Sequence, residues 1–136
     1  MDQKSVITTL LTSSNLAVLA TIIDGAPYCH LMIIAFSNDQ QNAFFVTRRD
    51  SGKFRQIKQY PKVSILIDNR CIYGIENASA LTITGTASEV IALEREKALV
   101  IFIHRYPELK EFACRSDHAV FRVDINRLEL NHFNQK

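Results

Sequence analysis

The stretch FFVTRRDSGKFRQIKQYPKVSILID, Phe44 to Asp68, decides how this chain is read. Ala43 to Thr47 has the composition of a strand, Asp50 or Ser51 can cap a short helix, and Lys62 to Asp68 is a second strand. The helix is amphipathic, with Phe54 and Ile57 three apart on one face while Lys53, Gln56 and Lys58 point elsewhere. Pro61 ends it. Thr47, Arg48, Arg49, Ser51 and Lys53 crowd the helix start, where unpaired N–H groups and the positive end of the dipole favour an anion. Cations placed there oppose the dipole and so ask for a ligand, and a phosphate fits. The competing reading is a capped turn with solvated charges. A nucleotide P-loop is excluded, because Phe54 stands where a Mg²⁺-binding hydroxyl should follow Gly52 and Lys53, and Thr47 stands where the first glycine belongs.

Working outward, Val6, Ile7, Leu10 and Leu11 make a helical stripe over residues 2 to 13. Leu16 to Ile23 is a β-branched buried strand, and Asp24-Gly25 is a hairpin turn. The near-continuous apolarity of Pro27 to Phe36, broken by His30, predicts a strand buried on both faces, as in a barrel wall or a subunit interface. Ser37 to Asn42 is a polar loop. After Asp68 the segment NRCIYGIENASA reads as irregular. From Ala80, the alternation of Leu81, Ile83, Gly85 and Ala87 with Thr82, Thr84, Thr86 and Ser88 is a half-exposed strand. Ile91 to Tyr106 is helical, with Glu94 and Glu96 near its start and His104 and Arg105 near its end. PELKEFACRS adds a helical turn, and His118 to Ile125 and Arg127 to Phe133 read as two closing strands. The pattern is α+β: a six- or seven-stranded, mostly antiparallel barrel with short flanking helices, in one domain over residues 1 to 136.

The chain has 136 residues, 47% hydrophobic and 22% charged, with a net charge of +2 and no polybasic stripe. Nucleic acid is not implied. Cys29, Cys71 and Cys114 are odd in number and in no C-x-x-C pair, which points to buried apolar thiols in a reducing compartment. No apolar run is long enough to span a membrane, and MDQKS has no signal-peptide pattern, so a cytoplasmic protein is expected. The histidines have no zinc spacing, a metal site is not expected, and a hydrolase elbow is absent.

Phe45, Thr47, Ser51, Lys53, Pro61, Val63 and Ile65, with DGAPYCHLMII before them and ALTITGTASEV after, resemble the FMN-binding split-barrel family related to pyridoxamine 5′-phosphate oxidase. The resemblance covers roughly residues 15 to 91. It implies a split barrel that binds FMN, with the phosphate held by Thr47, Ser51 and Lys53, Arg48 or Arg49 adding a second cation, and Lys58 contributing little. It also implies that the strand carrying His30 lines the flavin, although a hydrogen-bonded histidine in a barrel wall is an equal reading of that residue. Gly52 replaces an arginine of the vitamin B6 oxidases, Ala80 replaces a glutamine, and no Arg-x-His pair lies near the C-terminus, which sets the chain apart from true pyridoxamine 5′-phosphate oxidases. An FMN-dependent oxidoreductase acting on an unspecified small molecule is therefore expected. The alternative is a flavin- or haem-binding carrier or sensor, haem being disfavoured by the lack of a glycine-rich extension after Lys136, with His132 as its one candidate ligand. A domain this small has limited room for both a core and a cofactor, so a homodimer with the flavin at the subunit interface is expected.

Overall fold

A computed structural model describes residues 2–133. Helix α1 (Gln3–Ser13) is capped by Asp2, whose carboxylate accepts the Ser5 N–H at 2.8 Å. Strands β1 (Leu16–Ile23) and β2 (Ala26–Ile33) form a hairpin through Asp24 and Gly25, both at positive φ, as a two-residue turn of the primed type requires. Then follow β3 (Ala35–Phe36), β4 (Asn42–Arg48), α2 (Gly52–Gln59), β5 (Lys62–Asp68), α3 (Arg70–Tyr73), β6 (Ser79–Val90), α4 (Ala92–Arg105), a 3-10 turn (Pro107–Leu109), α5 (Lys110–Cys114) and β7 (His118–His132).

The seven strands make one antiparallel sheet in the order β2-β1-β5-β6-β7-β4-β3. Only Ile34 separates β2 from β3, yet these strands occupy opposite ends of that order. The two edges must therefore meet, and the sheet curls into a split barrel. At the split, the carbonyl of Ile34 has no ladder partner and accepts the Tyr106 hydroxyl at 2.7 Å instead. Burial raises the pKa of that phenol, keeping it a donor.

The barrel interior holds Leu19, Phe45, Ile65, Leu81, Ile83, Phe121 and Val123, closed by Leu10 and Leu11 of α1 and Ile57 of α2. A second core lies outside the barrel, where Phe44, Val46 and Val120 pack on Leu99 and Phe102 of α4 and Ala113 of α5. The outer face of β1, β2 and β5 has no such cover. Leu16, Leu31 and Leu66 are 57%, 67% and 45% exposed there, which is far from the usual state of large aliphatic side chains.

Three expectations are corrected. Pro27 to Phe36 is not one strand buried on both faces: it breaks at Ile34 to join the two sheet edges, and most of β2 is exposed in a single chain. His118 to Phe133 is one bent strand rather than two, because Asn126 bulges out between Ile125 and Arg127 where they face Gly85 and Thr84. Gly85 permits the bend, since a Cβ there would lie 2.4 Å from the Asp124 carbonyl oxygen. The three cysteines are exposed, not buried, since Cys29 lies on β2, whose outer face is uncovered, Cys71 lies on α3 outside the sheet, and Cys114 ends α5. The segment after Asp68, read as irregular, contains the single turn α3.

Candidate functional site

Strand β4 delivers Thr47 and Arg48 to the start of α2, and the intervening turn brings Ser51 back onto Thr47. The Thr47 and Ser51 hydroxyls lie 3.2 Å apart. Ser51 is the N-cap, and its Oγ accepts the Phe54 N–H at 3.2 Å. Of the two caps open on sequence grounds, the structure uses the serine. Phe54 and Ile57 then turn inward, Ile57 fully buried and Phe54 edge-on to Phe121 with centroids 5.8 Å apart.

The cations around this turn differ in how they are occupied. Arg48 pairs with Asp50 at 3.1 Å, both largely exposed. Arg49 pairs closely with Glu89 of β6 and donates to the His118 carbonyl at 3.3 Å. Lys58, given no part in holding the phosphate on sequence grounds, reaches the same Glu89 at 3.2 Å, lies 5.5 Å above the Phe54 ring and so anchors α2 to β6. Burial acts to raise the pKa of Glu89, but hydrogen bonds from Arg49 and Lys58 outweigh it and hold the carboxyl below its ordinary range. Among the described residues, no carboxylate pairs with Lys53.

Thr47, Arg48, Ser51 and Lys53 form the polar end of a cleft of about 380 Å³. Its other walls are apolar: Met32 and Ile33 of β2, Val46 of β4, and Phe102, Leu109 and Phe112 from the C-terminal helices. A phosphate-bearing group with a flat apolar body suits this division, with two hydroxyls, a helix N-terminus and an unpaired ammonium at one end and aromatic side chains at the other. Thr47 is buried and lines this cleft, and among the described residues its only side-chain hydrogen-bond partner is Ser51. The two hydroxyls therefore keep hydrogen-bonding capacity for a phosphate.

The structure thus gathers four of the five residues singled out from sequence, Thr47, Arg48, Ser51 and Lys53. The fifth, His30, stands outside the cleft wall, with Nε2 3.0 Å from the Thr21 hydroxyl on the barrel side of β1 and β2. Sequence reading missed the wall made by Phe102, Leu109 and Phe112. The exposed Phe112, within an otherwise polar helical turn, was the available signal. It also missed Glu89, whose partners lie far away in the chain. His132 hydrogen-bonds Ser79 at 2.6 Å and takes no part in the cleft. Among the described residues no cluster of histidine, cysteine or carboxylate side chains has metal-binding form, and no helix is long and apolar enough to cross a membrane.

Residues 4–132 match the family model described as pyridoxamine 5′-phosphate oxidase. Among curated proteins, none matches the sequence. Solved structures share the fold. A protein of unknown function from Agrobacterium tumefaciens superposes with a TM-score of 0.82 at 22% identity, covering 98% of this chain, which spans only 58% of that one. An FAD-binding protein from Mesorhizobium loti gives 0.74 at 19% identity, covering 97% of this chain and 95% of its own. HutZ, the heme storage protein of Vibrio cholerae, gives 0.80 at 18% identity, again covering 97% and 95%.

Proposed function

The chain belongs to the pyridoxamine 5′-phosphate oxidase family, and from that premise we propose that it binds FMN and works as an FMN-dependent oxidoreductase on a small molecule. The observation that carries this reading is the meeting of Thr47, Ser51 and Lys53 at the polar end of an apolar cleft. Thr47 and Ser51 would donate hydroxyl hydrogen bonds to the phosphate, Lys53 would supply the principal charge, and Arg48 would swing from Asp50 to add a second. Flavin, when bound, would supply the electron transfer; Phe102, Leu109 and Phe112 would offer it an apolar wall that excludes water.

The other side asks for a second copy of the chain. Leu31 lines both the cleft and the uncovered sheet face, so the two are continuous. A homodimer packed on that face would bury Leu16, Leu31 and Leu66 and close the cleft at the same time. The substitution of glycine at position 52 and of alanine at position 80 argues against pyridoxamine 5′-phosphate as substrate. The three exposed free thiols suit a cytoplasmic, reducing setting.

An absorption spectrum of the purified protein, followed by titration with FMN, tests the reading. Flavin bands with saturable binding support it, and a Soret band would replace it with a haem carrier akin to the heme storage protein in fold. Reduction of the bound flavin by NADH or NADPH, followed by re-oxidation, separates an oxidoreductase from a flavin carrier.

A further inference from the structure

We propose that His30 is a positioning residue for the phosphate cradle, and that binding of a phosphate monoester beside Lys53 is coupled to uptake of a proton by the His30 imidazole. The inference rests on the reading of the cleft as a flavin-phosphate site, and deepens it.

The geometry is a relay from β2 to α2. His30 Nε2 lies 3.0 Å from Thr21 Oγ1, and the buried Thr21 hydroxyl donates to Gln56 Oε1 at 3.3 Å. A hydroxyl has one proton; with that proton directed at Gln56, the ring nitrogen is the donor to Thr21 and the neutral ring carries its hydrogen on Nε2. Gln56 follows Lys53 by three residues and is its neighbour on the helix surface. His30 thus braces α2 from beneath at the turn that presents Lys53 to the cleft.

The groups in contact with the ring are Thr21 from β1 and Tyr28 from its own strand, with ring centroids 4.9 Å apart, while Gln56 of α2 is reached through Thr21 and Lys53 of α2 acts on the ring by its charge. Lys53 is the charged one. Burial first, and the Lys53 ammonium second, hold the imidazole pKa below its ordinary value, while the Gln56 hydrogen bond opposes them. A phosphate on Lys53 cancels the repulsion and adds an attraction, so the imidazole holds a proton more readily in the bound state than in the free state. The balance is one imidazole plus one proton giving one imidazolium, with no other covalent change. The phosphate's own second ionisation, near about pH 6, acts in the opposite sense because the dianion binds better. That contribution is common to wild type and variant and cancels between them.

The test is flavin-fluorescence titration of apo-protein with FMN and with riboflavin, for wild type and His30→Gln, from about pH 7.5 to about pH 5.5. Relative to the variant, wild-type affinity for FMN should improve roughly three- to tenfold across that range, and riboflavin should show no such difference. Parallel FMN curves, with FMN still tighter than riboflavin, would overturn the role of His30 and leave the flavin site standing. FMN binding no tighter than riboflavin at any pH would overturn both. Should the variant fail to fold, the His30 ring resonances of wild type, titrated with and without FMN or inorganic phosphate, give the same answer: an upward move in pKa on binding supports the coupling, and none refutes it.

Discussion

Replacing Lys53 by alanine removes, from the start of α2, a cation that lines the cleft and has no carboxylate partner among the described residues, whereas Arg55 in the same turn lies outside the cleft lining and bonds the Asp50 carbonyl. Lys53 is a half-buried residue lining the cleft, so its bond to a phosphate is weaker than in a dry interior and stronger than a surface pair. A charge-assisted hydrogen bond in that setting contributes about 1.5 to 2.5 kcal/mol, a loss of roughly ten- to sixtyfold in FMN affinity. Arg48 limits the loss, because it can leave Asp50. Lys58 cannot serve as the control, since it holds Glu89 and covers Phe54; Lys97, in a surface pair with Glu94 on α4, can. Fluorescence titration should show the loss for FMN in Lys53→Ala and none in Lys97→Ala, while riboflavin binds both like wild type. Equal losses for FMN and riboflavin would mean that Lys53 acts through the fold, and no loss for either would remove the phosphate from this helix.

Other perturbations probe the frame around the cleft. Gly85→Ala sets a methyl against the Asp124 carbonyl and Val123 at the bulge and should cost about 2–3 kcal/mol in urea unfolding; a neutral result would mean that the bend in β7 yields freely. Glu89→Gln leaves Arg49 and Lys58 unpaired and should destabilise by about 1–2 kcal/mol at neutral pH. Because the folded protein holds the Glu89 carboxyl below its ordinary range, its contribution is present above about pH 4.5 and fades as pH falls through the folded value, so the wild-type advantage in thermal melts should shrink in acid. A constant advantage down to about pH 3 would assign the effect to packing. Leu31→Asp should convert a sedimenting dimer to monomer and weaken FMN binding; a wild-type monomer at micromolar concentration would refute the shared cleft.

Local signals were strong where neighbours in sequence are neighbours in space. Leu16 to Ile23 and Lys62 to Asp68 are legible to the residue, as is the turn at Asp24 and Gly25. The meeting of Thr47, Ser51 and Lys53 at one turn beside the cleft is legible for the same reason, since they lie within seven positions. The bulge at Asn126 was not, because it follows from the absence of a side chain at Gly85, on another strand. Nor was the exposure of β2: apolarity reports that a surface wants cover and not what covers it, and α4 and α5 cover the outer face over β4 and β7 rather than over β1, β2 and β5. The role of Glu89 depends on Arg49 and Lys58 across a strand-to-helix contact, which no local pattern encodes.

The strand order carries a consequence for biosynthesis. Strand β4, which ends at Thr47 and Arg48 beside the cleft, is hydrogen-bonded on one side to the two residues of β3 and on the other to β7, the last of the seven strands in chain order. Phe45 finds its partner Phe121 only after the other six strands have been made, whereas β1, β2, β5 and β6 can pair earlier. A nascent chain therefore carries Thr47, Ser51 and Lys53 long before the strand that positions them is paired on both sides, and a chain halted short of β7 would leave β4 held by the two residues of β3 alone.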